Sequence, residues 1–431
     1  MLIACNLSEL FLISPTMKTR IARTILNRRM IWLAAVLACC LCHNLPLALA
    51  APGSWTLKAP MPMALDAHAS CAVDGILYVI GGHKDPGIYT QLPTLFAYDP
   101  KTDSWTSKKD MPTARRWPAA SVVDGIIYVI GGGCMFSPAL DTVEAYDPKT
   151  DTWMTKAHLP AARSSVAACA VDGIIYAIGG LVGTISAGNM QRSATVEAYD
   201  PKTNHWTPKA SLPEASAFHT ANAVNGIIYV FFKKQTFAYD PQTNRWTYKA
   251  PIPTWSLNSL FTASSVVDGI AYLFGGSSDD GWTTYDLTLA YDPVQDKFTA
   301  KRRMPVTCEA AACATIAGKI YHSGGVNQDP IVRPAGAVYY DTLWVFDSQG
   351  GVTPQLLSLN RESPDRVRLA WQGEAGRLYG VQSTLNPVKG PWTRLNLPLT
   401  NTILATNELV EATCPVPSAD TNRFFRVLEA N

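Results

Sequence analysis

The sequence predicts an all-β chain built mostly from one repeated unit of four short strands. Three observations predict it. The segment Val-Asp-Gly-Ile-Leu-Tyr-Val-Ile-Gly-Gly at 73–82 returns, with small changes, at 123–132, 171–180, 224–232, 267–276 and 317–325. Each copy is followed by an aromatic–Asp pair: Tyr98-Asp99, Tyr146-Asp147, Tyr199-Asp200, Tyr239-Asp240, Tyr291-Asp292 and Phe346-Asp347. Six residues beyond the Asp stands Trp105, Trp153, Trp206 or Trp246, with Phe298 in the fifth copy.

Each element has a local reason. Asp-Gly between two apolar runs is a hairpin signal, so strand A ends before it and strand B starts after it. Strand B ends at the diglycine. Strand C ends at Tyr-Asp, and Asp-Pro-Lys-Thr-Asp and its relatives turn the chain into strand D, which carries the Trp. A lone four-stranded sheet cannot bury both faces. Six such sheets stacked radially around an axis can, which defines a six-bladed β-propeller over 51–348. Two defects in the repeat complement each other. Trp55 sits in a D-type segment with no strands A to C before it, and the sixth copy has no Trp after Phe346-Asp347. Strand 54–59 is therefore expected to complete blade 6 and close the ring.

The diglycine, the Tyr-Asp and the spaced Trp, recurring in that order over about residues 54–347, resemble the kelch repeat. The resemblance implies a kelch-type propeller of the galactose oxidase/kelch superfamily. Kelch propellers resemble galactose-oxidase-type enzymes, whose copper site uses two Tyr, two His and a Tyr–Cys link on seven blades. No such cluster stands in this chain, and no metal or cofactor is expected. Some exported six-bladed kelch proteins are sialic-acid mutarotases, which keeps a sugar mutarotase or epimerase as the alternative function.

Residues 352–431 break the period. Alternating segments such as Arg366–Trp371, Arg377–Gln382 and Arg423–Val427 predict a small β-sandwich, broadly fibronectin-type in shape. Trp371, Tyr379 and Phe425 read as core, and Trp392 is a candidate carbohydrate contact.

The first fifty residues read differently. Five cations precede the apolar run Met30–Leu41, and Ala48-Leu49-Ala50 follows. That order predicts a secretory signal peptide over 1–50, with an uncleaved anchor as the alternative. The expected product is secreted, periplasmic or at the cell surface of a bacterium, monomeric and without a membrane span. The net charge of +2 belongs to this leader. Without its five bases and one acid the remainder is −2, which gives no reason to expect a nucleic-acid partner. The six remaining cysteines, Cys71, Cys134, Cys169, Cys308, Cys313 and Cys414, have no zinc spacing, and nothing demands a disulfide.

The functional face follows from loop lengths. The A–B and C–D turns are short in every copy, whereas the B–C loops run from Lys233-Lys234-Gln235 to Val326–Thr342. Variable loops on a rigid scaffold carry function, so the B–C/D–A end is the candidate binding face. Trp, Tyr and Arg dominate binding hot spots, which singles out Trp282, Tyr285, Arg333, Tyr339 and Tyr340. At the start of strand A stand His68, Arg116, Arg163, His219 and Glu309. They line either a mouth for a polar ligand or a set of water-bridged contacts between blades. The expected function is non-catalytic recognition of a protein or glycan. A mutarotase would instead use Glu309, Arg116, His68 and His219 as acid and base. No nucleophile-elbow, P-loop, zincin or calcium-loop motif occurs.

Overall fold

The structure, a computed structural model, describes residues 53–84, 90–133, 138–184, 188–253, 260–278, 283–328 and 337–349, and beyond these the backbone of strands between 355 and 429. Every element among them is a strand. Residues 1–50, expected to be a leader, lie outside the described residues, as do Trp282 and Arg333.

Six four-stranded antiparallel sheets form the blades. Blade 1 runs Ala69–Val73, Ile76–Ile80, Leu95–Asp99, Ser104–Ser107 as strands A to D. The inner strands of the other blades are Ala119–Val123, Ala167–Val171, Thr220–Val224, Ala263–Val267 and Ala312–Ile316. Each packs on its neighbours in order, and the sixth packs on the first, so the ring is closed. The closing strand is Ser54–Leu57, paired to Leu343–Asp347 with Trp55 opposite Phe346. The chain is thus an all-β, six-bladed propeller.

The repeated residues each make one recurring contact. Asp74 and Gly75 have φ of 50° and 78°, the two left-handed residues a tight hairpin needs. The diglycine lets backbones touch: a Cβ on Gly81 would stand 2.6 Å from the Arg115 carbonyl, and one on Gly82 would stand 2.7 Å from the Asp66 carbonyl. The Tyr hydroxyls donate across the C–D turn, as Tyr146 does to Asp151 at 2.7 Å. The same Asp151 oxygen accepts the Lys109 N–H from the linker behind it, at 3.0 Å. The Trp indoles staple each D strand to the preceding linker. Trp105, Trp153, Trp206 and Trp246 donate to the carbonyls of Ala59, Lys109, Ala157 and Ala210 at 2.8–2.9 Å. Apolar clusters fill the seams between blades.

Two B–C connections hold more structure than plain loops. Leu181–Val182 pairs with Gln191–Arg192 in blade 3, and Val326–Asn327 with Val338–Tyr339 in blade 6. Beyond residue 354, Gln355–Ser363, Arg366–Gln372 and Leu409–Pro415 form one antiparallel sheet. Leu378–Thr384 and Phe424–Glu429 anchor a second. The side chains of Trp371, Tyr379, Trp392 and Phe425 lie outside the described set.

Candidate functional site

The D–A linkers meet at the axis in a ring of six equivalent residues: Ala67, Trp117, Ser165, Phe218, Phe261 and Ala310. All six have φ between 52° and 58°. Five backbone hydrogen bonds run around this ring, each N–H donating to the carbonyl of the preceding blade, as Trp117 does to Ala67 at 2.8 Å. A left-handed backbone is unusual for bulky residues and marks a strained position. The three aromatics converge, with Phe218 4.2 Å from Phe261 and Trp117 5.2 Å from each, centroid to centroid. They fill the axis at the B–C end and stay half-buried at the centre of that face.

Beside the plug lies a charged cluster from blades 6, 1 and 2. Arg116 donates to Asp66 at 2.7 Å, and its guanidinium lies 5.4 Å from the centre of the Trp117 ring. Asp66 also faces His83 Nδ1 at 3.2 Å, and the His83 ring meets the edge of Tyr339 at 5.7 Å. Glu309 is buried next to Asp66 and Arg116. Burial pushes its carboxyl up to about 7; Asp66 adds to the rise, while Ser277 and Arg116 oppose it.

The other anticipated residues separate into two groups. His68 and His219 sit beneath the plug, and burial lowers both imidazoles to about 4. Arg163 is wholly buried inside blade 3. Its guanidinium pairs with Glu197 and donates to the Gly179 and Thr195 carbonyls. Arg115 makes the same latch to Glu144 in blade 2. The Tyr340 ring packs on the core between blades 5 and 6, and Tyr285 is half-buried, with its backbone bonded to Gly276 and Cys308. The geometry therefore joins Arg116, Glu309 and Tyr339 to Asp66 and His83, and leaves Arg163 and Tyr340 as packed residues. His322, inside strand B of blade 6, packs between Trp55 and Phe274. Cys71, Cys169, Cys308 and Cys313 are free thiols. Among the described residues no group of three or more His, Cys, Asp or Glu stands close enough to hold a metal. No described helix is long and apolar enough to cross a membrane.

Sequence reasoning missed the aromatic plug. Its signal is one alignment column: the residue just before His68, Pro118, Val166, His219, Thr262 and Ala311 is aromatic in three of six copies.

The fold and these contacts define a six-bladed β-propeller with a plugged axis. Residues 51–180 match the family model described as the KLHDC2/KLHL20/DRC7 Kelch-repeats domain, and residues 162–213 match the Kelch motif. Kelch-like protein 24 of Rattus norvegicus and of Mus musculus are each 31% identical to this chain over 124 residues, 29% of its length. The chain spans about a fifth of the length of these curated relatives, 20%.

Proposed function

We propose that this protein is a non-catalytic binding module that recognises a protein or glycan through the B–C face of its propeller. One observation carries the reading. The three plug aromatics and Arg116 stand at the centre of the face whose loops vary in length, and the aromatics remain half-buried there. Aromatic and Arg side chains in a pre-ordered setting are what binding hot spots use. The kelch matches support a protein partner in particular. The module is a monomer, exported by the leader 1–50, with residues 352–431 as a separate β-sandwich.

The mutarotase alternative needs a passage from this face to His68 and His219. The plug fills that passage, so the geometry supports binding over catalysis.

The test is direct. The full chain is screened on arrays of surface proteins and glycans, and any hit is repeated with Trp117→Gly and Phe218→Gly. Both substitutions suit the left-handed backbone. A loss of at least about tenfold in affinity is expected from each, since a hot-spot truncation costs about 2 kcal/mol or more. Full retention in both variants moves the binding site away from this face. In parallel, proton NMR of sialic acid anomers should show no acceleration by the protein; acceleration would restore the enzyme reading.

A further inference from the structure

Five blade seams are filled by an indole, and the seam between blades 4 and 5 is not. Trp55, Trp105, Trp153, Trp206 and Trp246 each stand on a strand D and cover one side of the preceding blade. Trp153, for example, packs in one cluster with Ile76, Tyr78 and Ala97 of blade 1. Each indole N–H donates to a linker carbonyl, at 2.8–3.3 Å.

In blade 4 the same three positions are Ile227, Tyr229 and Ala238. Phe298 packs in their cluster, but its ring is smaller than an indole and has no N–H. A groove of about 580 Å³ stays open on this side of blade 4, within the size range of ligand sites. Ile227, Tyr229, Ala238 and Thr247 line it, with Arg245 and Lys249 beside them. The surface that indoles cover elsewhere is thus partly bare. The linker carbonyl in the equivalent position belongs to Ala250, and among the described residues no group donates to it.

The charges around the groove are unbalanced. Asp240 lies at its edge, but its carboxylate already accepts the Gln242 N–H at 2.9 Å and the Thr243 hydroxyl at 2.8 Å. Across the seam, Asp296 accepts the Tyr291 hydroxyl at 2.7 Å and the Ala250 N–H at 2.8 Å. Among the described residues neither Arg245 nor Lys249 has an ion-pair partner. The groove therefore complements an aromatic ring with an N–H donor and flanking negative charge. It opens at the rim, where strand D of blade 4 is the outermost strand and Tyr248 is 66% exposed, so a protein segment can reach it.

We propose that this groove captures a tryptophan that a partner protein presents in an acidic segment. The indole would lie on Ile227, Tyr229 and Ala238 beside Phe298 and donate to the Ala250 carbonyl, with its acidic neighbours facing Arg245 and Lys249. The site is on the rim and is independent of the B–C face.

The probe is the peptide acetyl-Asp-Glu-Trp-Glu-Asp-amide, titrated against the full chain by saturation-transfer NMR. It should saturate. The same peptide with Leu for Trp, or with Lys for its four acids, should bind at least about tenfold more weakly, because a tryptophan hot spot is worth about 2 kcal/mol or more. A 1-methyltryptophan version keeps the ring and loses the donor, and should bind about fivefold more weakly, the worth of one hydrogen bond. Phe298→Trp fills the seam with the chain's own indole and should abolish binding, with a melting curve to check the fold. Arg245→Glu with Lys249→Glu changes rim side chains alone and should weaken binding at least about tenfold. Absence of saturable binding, equal binding of the Leu or Lys peptide, or unchanged affinity in either folded variant overturns the proposal.

Discussion

Two seams of the propeller depart from the repeat, and they do so in opposite ways. The closing seam breaks the backbone but keeps every part. Trp55 comes from the far end of the chain, yet it is buried, pairs with Phe346 and sends its indole to the Arg302 carbonyl at 3.3 Å. The seam between blades 4 and 5 keeps the backbone and loses parts. Phe232-Lys233 stands where other blades have the diglycine, and Phe298 replaces the Trp. A lateral groove opens on the blade 4 face of this seam, lined by Ile227, Tyr229, Ala238, Arg245, Thr247 and Lys249 among others. A propeller seam is thus held by its side-chain clasps, whichever part of the chain supplies them.

The largest test of that view is removal of residues 51–60. The deletion strips four paired residues and a buried Trp from blade 6. Truncating a buried Trp alone costs about 3–5 kcal/mol, so the melting point should fall on the order of 10 °C or more. Trp55→Ala gives a graded version with the backbone intact. An unchanged melting curve for the deletion would sink the closure account.

How much of this was legible in the sequence follows from the same logic. A contact made six times leaves six marks, so the hairpin turns, Tyr, Trp and diglycine could be read. Ring closure could be read because a surplus Trp55 matched a missing one. Contacts made once or twice leave fainter marks. Arg163 stood at a strand A start and read as a ligand group, yet its charge is taken up by Glu197, 34 residues away. A trace of that latch exists: Val-Glu-Ala-Tyr-Asp occurs at 143–147 and 196–200, in the two copies that carry Arg115 and Arg163. The burial of Glu309 and the filling of the axis depend on three blades meeting, which no single copy encodes. Trp282 and Arg333 fall outside the described residues.

The closing seam also carries a proton-linked test. Glu309 on blade 6 faces Asp66 of blade 1 and Arg116 of blade 2, and burial raises its carboxyl from 4.5 to about 7. The folded state therefore holds this proton more tightly than the unfolded chain does. Stability contributed by protonated Glu309 is complete below about pH 4.5, declines as pH rises, and is lost above about pH 7. The span is on the order of 3 kcal/mol. Urea midpoints measured at pH 5 and pH 8 should differ in that sense, and Glu309→Gln should flatten most of the difference. An equal pH dependence in the variant assigns it to other groups.

The smallest effect belongs to the seam that lost its parts. Where Trp indoles occupy the equivalent position, each donates to a linker carbonyl; at blade 5 the equivalent acceptor is Ala250. Phe298 fills the space against Phe231 and Tyr291 but has no N–H to offer. Phe298→Trp should restore that bond and gain about 1 kcal/mol, the usual net worth of one hydrogen bond. The reverse change, Trp153→Phe, removes the bond to Lys109 and should cost a similar amount in denaturant unfolding. If Phe298→Trp instead destabilises while Trp153→Phe costs the expected amount, the neighbours of Phe298 have repacked around the smaller ring, and the seam is closed by shape rather than left short of a bond. The comparison then sharpens: blades 4 and 5 would be joined by the three rings Phe231, Tyr291 and Phe298 in place of an indole staple.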